Sequence, residues 1–166
     1  MSPDTPHDSR LNQSLRALLT HQRVAALGSL GDDGAPFVSM VPFAVDPISA
    51  VLVIHVSGLA PHTHQMLARP QVSMMVMQKE AEDASVLSLP RVTFQGLAEV
   101  IAVDNRRWAH AKQAYLTRFP EAEPMTHFGD FMFIGIAVTT ARHVAGFGAA
   151  RSLDANEVAS VLKPLH

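Results

Sequence analysis

Six or seven apolar runs of strand length, separated by only a few residues of turn chemistry, dominate this 166-residue chain. Strands that follow one another this closely pair with their neighbours, which favours a barrel over a doubly wound sheet. Val24 to Leu30 and Phe37 to Phe43 flank Gly31-Asp32-Asp33-Gly34-Ala35-Pro36, whose Asp-Gly step supplies the positive φ of a hairpin, so these two should pair antiparallel. Val51 to Val56 follows. In Gln71 to Met77, Val72, Met74 and Val76 alternate with Ser73, Met75 and Met77, the methionines acting as core filler. Arg91 to Val103 reads as a long strand interrupted at Gly96, where a bulge is expected. Phe131 to Val138 and Arg142 to Phe147 read as two final strands.

Helices are few. Leu11, Leu15, Leu18 and Leu19 share one face of a helix from Ser9 to about His21, which should cover a flank of the sheet. A short helix ends near Ala68, and Asp104 is placed to cap another running through Trp108 and Tyr115 to about Arg118. Those two aromatics, seven apart, mark a packing face. Leu153 to Leu162 closes the chain as a helix, and the polar residues 78–90 form the expected flexible loop. The fold class is mainly β with peripheral helices (α+β), in one domain over residues 1–166 with 1–9 flexible.

Composition removes several function classes. With no cysteine there is no disulfide, thiolate metal site or thiol nucleophile. A formal charge of −2, with 13 Lys and Arg dispersed along the chain, provides no basic stripe for nucleic acid. No apolar run approaches the roughly 20 residues that span a bilayer, so the expectation is a soluble cytoplasmic protein with no membrane partner. His62 and His64 fall on opposite helix faces, no His-Glu zinc motif exists, and no G-x-S-x-G elbow is present, so neither a metal site nor a hydrolase is expected.

The stretch Val51 to Ala68, VLVIHVSGLAPHTHQMLA, carries the most chemistry. A buried strand breaks at Ser57-Gly58, and Pro61 opens a helix where Ser57, His62, Thr63 and His64 gather. Free N–H groups and the positive helix end there favour an anion, a phosphate above all. The alternative is an ordinary capped helix after a strand. The chain has no Lys or Arg from Val24 to Ala68, so a phosphate would depend on hydroxyls, N–H groups and imidazoles, helped by Arg69 or Arg91.

Four blocks in order resemble a known family: GDDGAPFVSMVPFAVD at 31–46, VLVIHVSGLAPHTHQMLARPQVSMMV at 51–76, PRVTFQGLAEV at 90–100 and HVAGFGAA at 143–150. The chain resembles the pyridoxamine-phosphate-oxidase-like flavoproteins, which fold as an FMN-binding split β-barrel, and most closely their heme-utilisation branch. The resemblance implies that Ser39, Met40, Val41 and Pro42 meet the flavin ring through backbone, that Ser57, Ala60, His62 and Thr63 hold the FMN phosphate, and that Arg91 with Gln95 reaches the cofactor, often from a partner subunit. It also implies a homodimer with the site at the subunit interface. The apolar faces of Phe131 to Val138 and Gln71 to Met77 exceed what one barrel needs, which points the same way.

The leading function is an FMN-dependent oxidoreductase acting on a small-molecule substrate. A heme-binding protein of the same fold is the alternative, with His143 or His166 as the less buried axial ligands, and a flavin carrier or sensor stands third.

Overall fold

The structure, a computed structural model, describes residues 8–164. Of the stretch 1–9 expected to be loose, 1–7 lies outside the described residues, whereas Asp8 pairs with Arg16 and Ser9 caps the first helix by accepting from the Asn12 N–H. That helix, α1, runs Arg10–His21 and buries Leu15, Leu18 and Leu19.

Eight strands follow: β1 Val24–Leu30, β2 Pro36–Pro42, β3 Ala44–Asp46, β4 Val51–Ser57, β5 Gln71–Met77, β6 Arg91–Val100, β7 Phe131–Val144 and β8 Ala150–Asp154. They form one antiparallel sheet in the order β2-β1-β5-β6-β7-β4-β3, with β8 added on β7. The two ends of this order, β2 and β3, are separated in the chain by Phe43 alone. The sheet therefore curls back on itself around a core of Leu27, Leu52, Ile54, Met74, Val92, Phe94 and Ile136.

Three further α-helices, α2 Pro61–Ala68, α3 Arg106–Arg118 and α4 Ala155–Leu162, and a 3-10 helix over Pro120–His127 complete the described residues. α3 lies over the outer faces of β3, β4 and β7 and encloses a second cluster in which Tyr115 and Trp108 pack against Phe133. This corrects one expectation. On the outward face of Phe131 to Val138, α3 and the Ile101 side chain cover Phe133 and Gly135 while Ala137 stays exposed, so this face offers less apolar surface to a second subunit than expected.

Other boundaries also move. The two final strands expected over 131–147 are one continuous β7, and the last strand is β8, which takes Leu153 out of the expected helix. Asn105, not Asp104, caps α3 by accepting from the Arg107 N–H, because β6 stops at Val100 and a turn intervenes. The strand expected over Phe37 to Phe43 ends at Pro42 and resumes as β3, and the loop 78–90 contains a single tight helical turn at Val86–Ser88. The bulge falls where Gly96 stands, but Gln95 pairs with Thr140 and Gly96 with Val138, so the extra residue is Thr139 on β7.

Candidate functional site

The strand registers assemble a wide outward face from residues far apart in sequence. Across one row, Met40, Ala26, Met75, Thr93, Arg142 and Ser152 are successive neighbours on β2, β1, β5, β6, β7 and β8. The next row is Val38, Gly28, Ser73, Gln95, Thr140 and Asp154. Because side chains alternate along each strand, these rows stand on one face, with Arg91 and Met77 paired beyond the first row.

This face is amphipathic. Its β2 side is apolar and bare, with Val38 67% and Met40 64% exposed. Its β6-β7-β8 side is polar: Arg142 Nη1 donates to Ser152 Oγ at 3.2 Å, and Thr140 Oγ1 donates to Gln95 Oε1 at 3.3 Å. Two grooves flank Gln95, one of about 440 Å³ over Ser73 and Gly96 and one of about 600 Å³ over Thr93, Arg142 and Ser152. Both volumes lie within the range of small-molecule sites. Half-buried Arg91 donates to the Leu89 carbonyl at 3.0 Å, and no carboxylate among the described residues pairs with it.

Met40 and Pro42 stand on this face with Arg91 and Gln95, whereas Ser39 and Val41 point to the interior. Ser39 Oγ is buried without a hydrogen-bond partner. The second group of expected residues lies elsewhere. Ser57, Ala60, His62 and Thr63 occupy the β4–α2 turn, and α2 leads into β5 at Gln71, which pairs with Leu97. Arg91 lies six residues along β6 from Leu97, about 20 Å of strand. Ser57 pairs with Phe131 at one end of β7 and Arg91 with Val144 at the other, so the two groups stand at opposite ends of that strand.

Within the turn, the hydroxyls are engaged. Ser57 Oγ donates to Asp130 Oδ2 at 3.0 Å and accepts from the Leu59 N–H. Thr63, fully buried, donates to the Ser57 carbonyl at 2.7 Å. Ala60 caps α2 with no side-chain bond, and its N–H donates to the Ser57 carbonyl. Arg69, the nearest guanidinium in sequence, donates to the Gly31 and Asp32 carbonyls and so clamps the β1–β2 turn. A dianionic phosphate would meet the Asp130 carboxylate here with no lysine or arginine engaged against it.

The imidazoles divide by burial. His62 is half-buried and its pKa is pushed below 6.5 by desolvation, while His64 is exposed. His55 sits among Tyr115, Phe131 and Phe133, its pKa likewise lowered by burial. His143, expected to be accessible, is fully buried on β7 opposite Arg151, so it cannot present itself to a ligand at the surface. His166 lies outside the described residues. Among the described residues no group of three or more His, Asp or Glu is arranged to hold a metal ion.

Sequence reasoning passed over Thr93, Arg142 and Asp130. Thr93 was reachable from the period-two alternation of Arg91 and Gln95. Arg142 and Asp130 join through pairing partners 49 and 73 residues away, for which no local pattern exists.

Comparison with known proteins agrees with this fold: residues 11–145 match the pyridoxamine 5'-phosphate oxidase family. The chain belongs to that family. It is 25% identical over 150 residues to heme oxygenase HutZ of Vibrio cholerae, covering 90% of this chain and 84% of the relative. It is 35% identical over 118 residues to the chloroplastic non-canonical heme oxygenase HOZ of Arabidopsis thaliana, covering 71% of this chain but only 34% of that longer protein. A heme binding protein of Mycobacterium smegmatis superposes with a TM-score of 0.81 at 26% identity, over 92% of this chain and 61% of that one. No described helix is long and apolar enough to cross a membrane.

Proposed function

We propose that this chain binds heme as a two-fold homodimer, in which Arg91 and Gln95 of one copy complete a site begun by β2 and the β4–α2 turn of the other. One observation carries the choice of heme over FMN: the Ser57 hydroxyl is spent on the Asp130 carboxylate in a turn without lysine or arginine. A large apolar macrocycle needs no phosphate cradle. The bare apolar strip of Val38 and Met40 beside the polar grooves supports such a ligand, and the names of the relatives point the same way. The separation of Arg91 from His62 along the sheet supports a shared site.

Two histidines can supply the axial imidazole. His62 is one, held neutral by burial as iron ligation requires, and His166 is the other. Bound heme would supply the redox chemistry with an external reductant, and the chain's part is to bind, orient and shield it. The second reading, an FMN-dependent oxidoreductase, is favoured by the family match.

Absorbance titrations with hemin, FMN and riboflavin test the choice. Hemin should give a saturable Soret band at one per chain, lost in His62→Ala or in His166→Ala. FMN and riboflavin should bind within about threefold of each other, less than the 1.4 kcal/mol of a tenfold difference. FMN binding tenfold tighter than riboflavin, with no hemin band, would replace this reading with the flavin one. Decay of the Soret band on adding ascorbate in air would distinguish oxygenase turnover from storage.

A further inference from the structure

Away from the sheet face just described, α1, α3 and α4 converge beside the edge strand β3 and leave a cleft of about 470 Å³. Its floor is aliphatic, with Leu19 from α1, Ala44 and Val45 from β3, Ala114 from α3, and Val161 and Leu162 from α4. Two arginines line it, each fixed on the carbonyl end of a helix. Arg16 donates to the Ser160 carbonyl at 2.8 Å, to those of Val161 and Lys163, and pairs with Asp8 at 3.2 Å. Arg118 donates to the Leu19 and Thr20 carbonyls at 2.8 and 3.1 Å and to that of Gln22, and its guanidinium lies over the Phe43 ring.

The charge on Arg118 meets the partial negative charge at the C-terminal end of α1 and no full anion among the described residues. Its bonds go to three neutral carbonyls, and no carboxylate among the described residues pairs with it. Three of the five N–H groups of a guanidinium are thus used, leaving two. A like charge acts on it from Arg23, which donates to the Arg118 carbonyl at 3.3 Å and has its own partner in Glu121. Burial and this like charge both hold the Arg118 pKa below its usual value. A half-buried cation with spare donors beside an aliphatic floor is complementary to a molecule with an apolar body and one anionic end.

We propose that this cleft binds a small amphipathic carboxylate, its aliphatic body on Leu19, Val45 and Leu162 and its carboxylate against Arg118. None of these residues belongs to the proposed heme site. The guanidinium is already ordered by its three carbonyls, so little side-chain freedom is lost on binding. Because the cleft joins three helices, an occupant binds only the folded form and raises its melting temperature.

The lining is rich in methyl groups, which makes methyl NMR a direct test. Protein labelled at Ala, Leu and Val methyls is titrated with decanoate, decanol and acetate. Decanoate should shift Ala114, Val45 and Leu162 saturably, decanol should bind about tenfold more weakly for lack of a charge-assisted hydrogen bond, and acetate should do nothing. Ala114→Phe fills the cleft while keeping both arginines and should abolish the shifts. Thr117→Trp, on the exposed rim of the same cleft, serves as the second variant if Ala114→Phe does not fold. Equal binding of decanol and decanoate, shifts confined to other methyls, or undiminished binding in the filled variant would each overturn the proposal.

Discussion

Gly96 shows how one missing methyl group allows a sheet to bend. A Cβ built there would lie 2.4 Å from the Ala137 carbonyl oxygen, backbone that cannot swing aside as a side chain would. Gly96→Ala should therefore destabilise by on the order of 3 kcal/mol, the upper part of the range for overpacking, measured by urea melts. A loss below about 0.5 kcal/mol would mean that the bulge is not held by this close approach. His143 is the opposite case, a polar group in a packed interior. Arg151 Nε donates to its Nδ1 at 3.3 Å, which puts the imidazole proton on Nε2, a buried atom with no partner. Burial, with the nearby Arg151 charge, lowers its pKa from 6.5 to about 4. The unfolded chain then takes up a proton first as pH falls. Stability from this group is complete above pH 6.5 and declines by about 1.4 kcal/mol per unit below it, to a loss of about 3 kcal/mol near pH 4. Urea melts of wild type and His143→Gln between pH 7 and 4 should differ by that slope, and parallel profiles would show that His143 does not titrate in this way.

Elements are ended and tied by chemistry that is only partly local. α4 begins with a reciprocal capping box, in which the Asp154 side chain accepts from the Glu157 N–H and Glu157 accepts from the Asp154 N–H. Asp154→Ala should cost about 1 kcal/mol, read as a lower thermal midpoint. An unchanged midpoint would mean that packing of Val158, Val161 and Leu162 alone sets that helix. Some of these element-level features could be read in advance. The Asp-Gly hairpin, the Leu15, Leu18 and Leu19 face of the first helix and the alternation of Val72, Met74 and Val76 are neighbours in sequence, and each appears in the structure. The continuity of β7 could not be read. Thr139 and Thr140 look like a break, yet as bulge residues opposite Gln95 and Gly96 they keep the strand paired over 14 residues. Only the neighbouring strand tells a bulge from a turn.

At the scale of the whole molecule, the outward face of β1, β2, β5 and β6 carries Val24, Val38, Met40, Met77 and Leu97 in exposed positions. A bare apolar sheet face beside an edge strand is an aggregation risk unless a defined partner covers it. A second copy of this chain does so in the proposed dimer. Light scattering at micromolar concentration should therefore report twice the 18.0 kDa chain mass. Val38→Lys combined with Met40→Glu should shift the population to monomer and weaken hemin binding at the same time. A monomeric wild type that still binds hemin would remove the shared site.

What the sequence alone determined is whatever depends on residues a few positions apart: the strand runs, the hairpin, the helix faces, and the family blocks that imply the barrel. Those signals survive because hydrophobic alternation, turn chemistry and capping act over one or two turns of chain. The tertiary structure decided where the chemistry points. It engaged the Ser57 and Thr63 hydroxyls with Asp130 and a carbonyl, buried His143, packed α3 over Phe133, and set Arg91 and the strand end that leads into the His62 turn at opposite ends of β7. Each of these outcomes depends on strand register and on partners many residues away, and neither is encoded in the local pattern of the residues concerned.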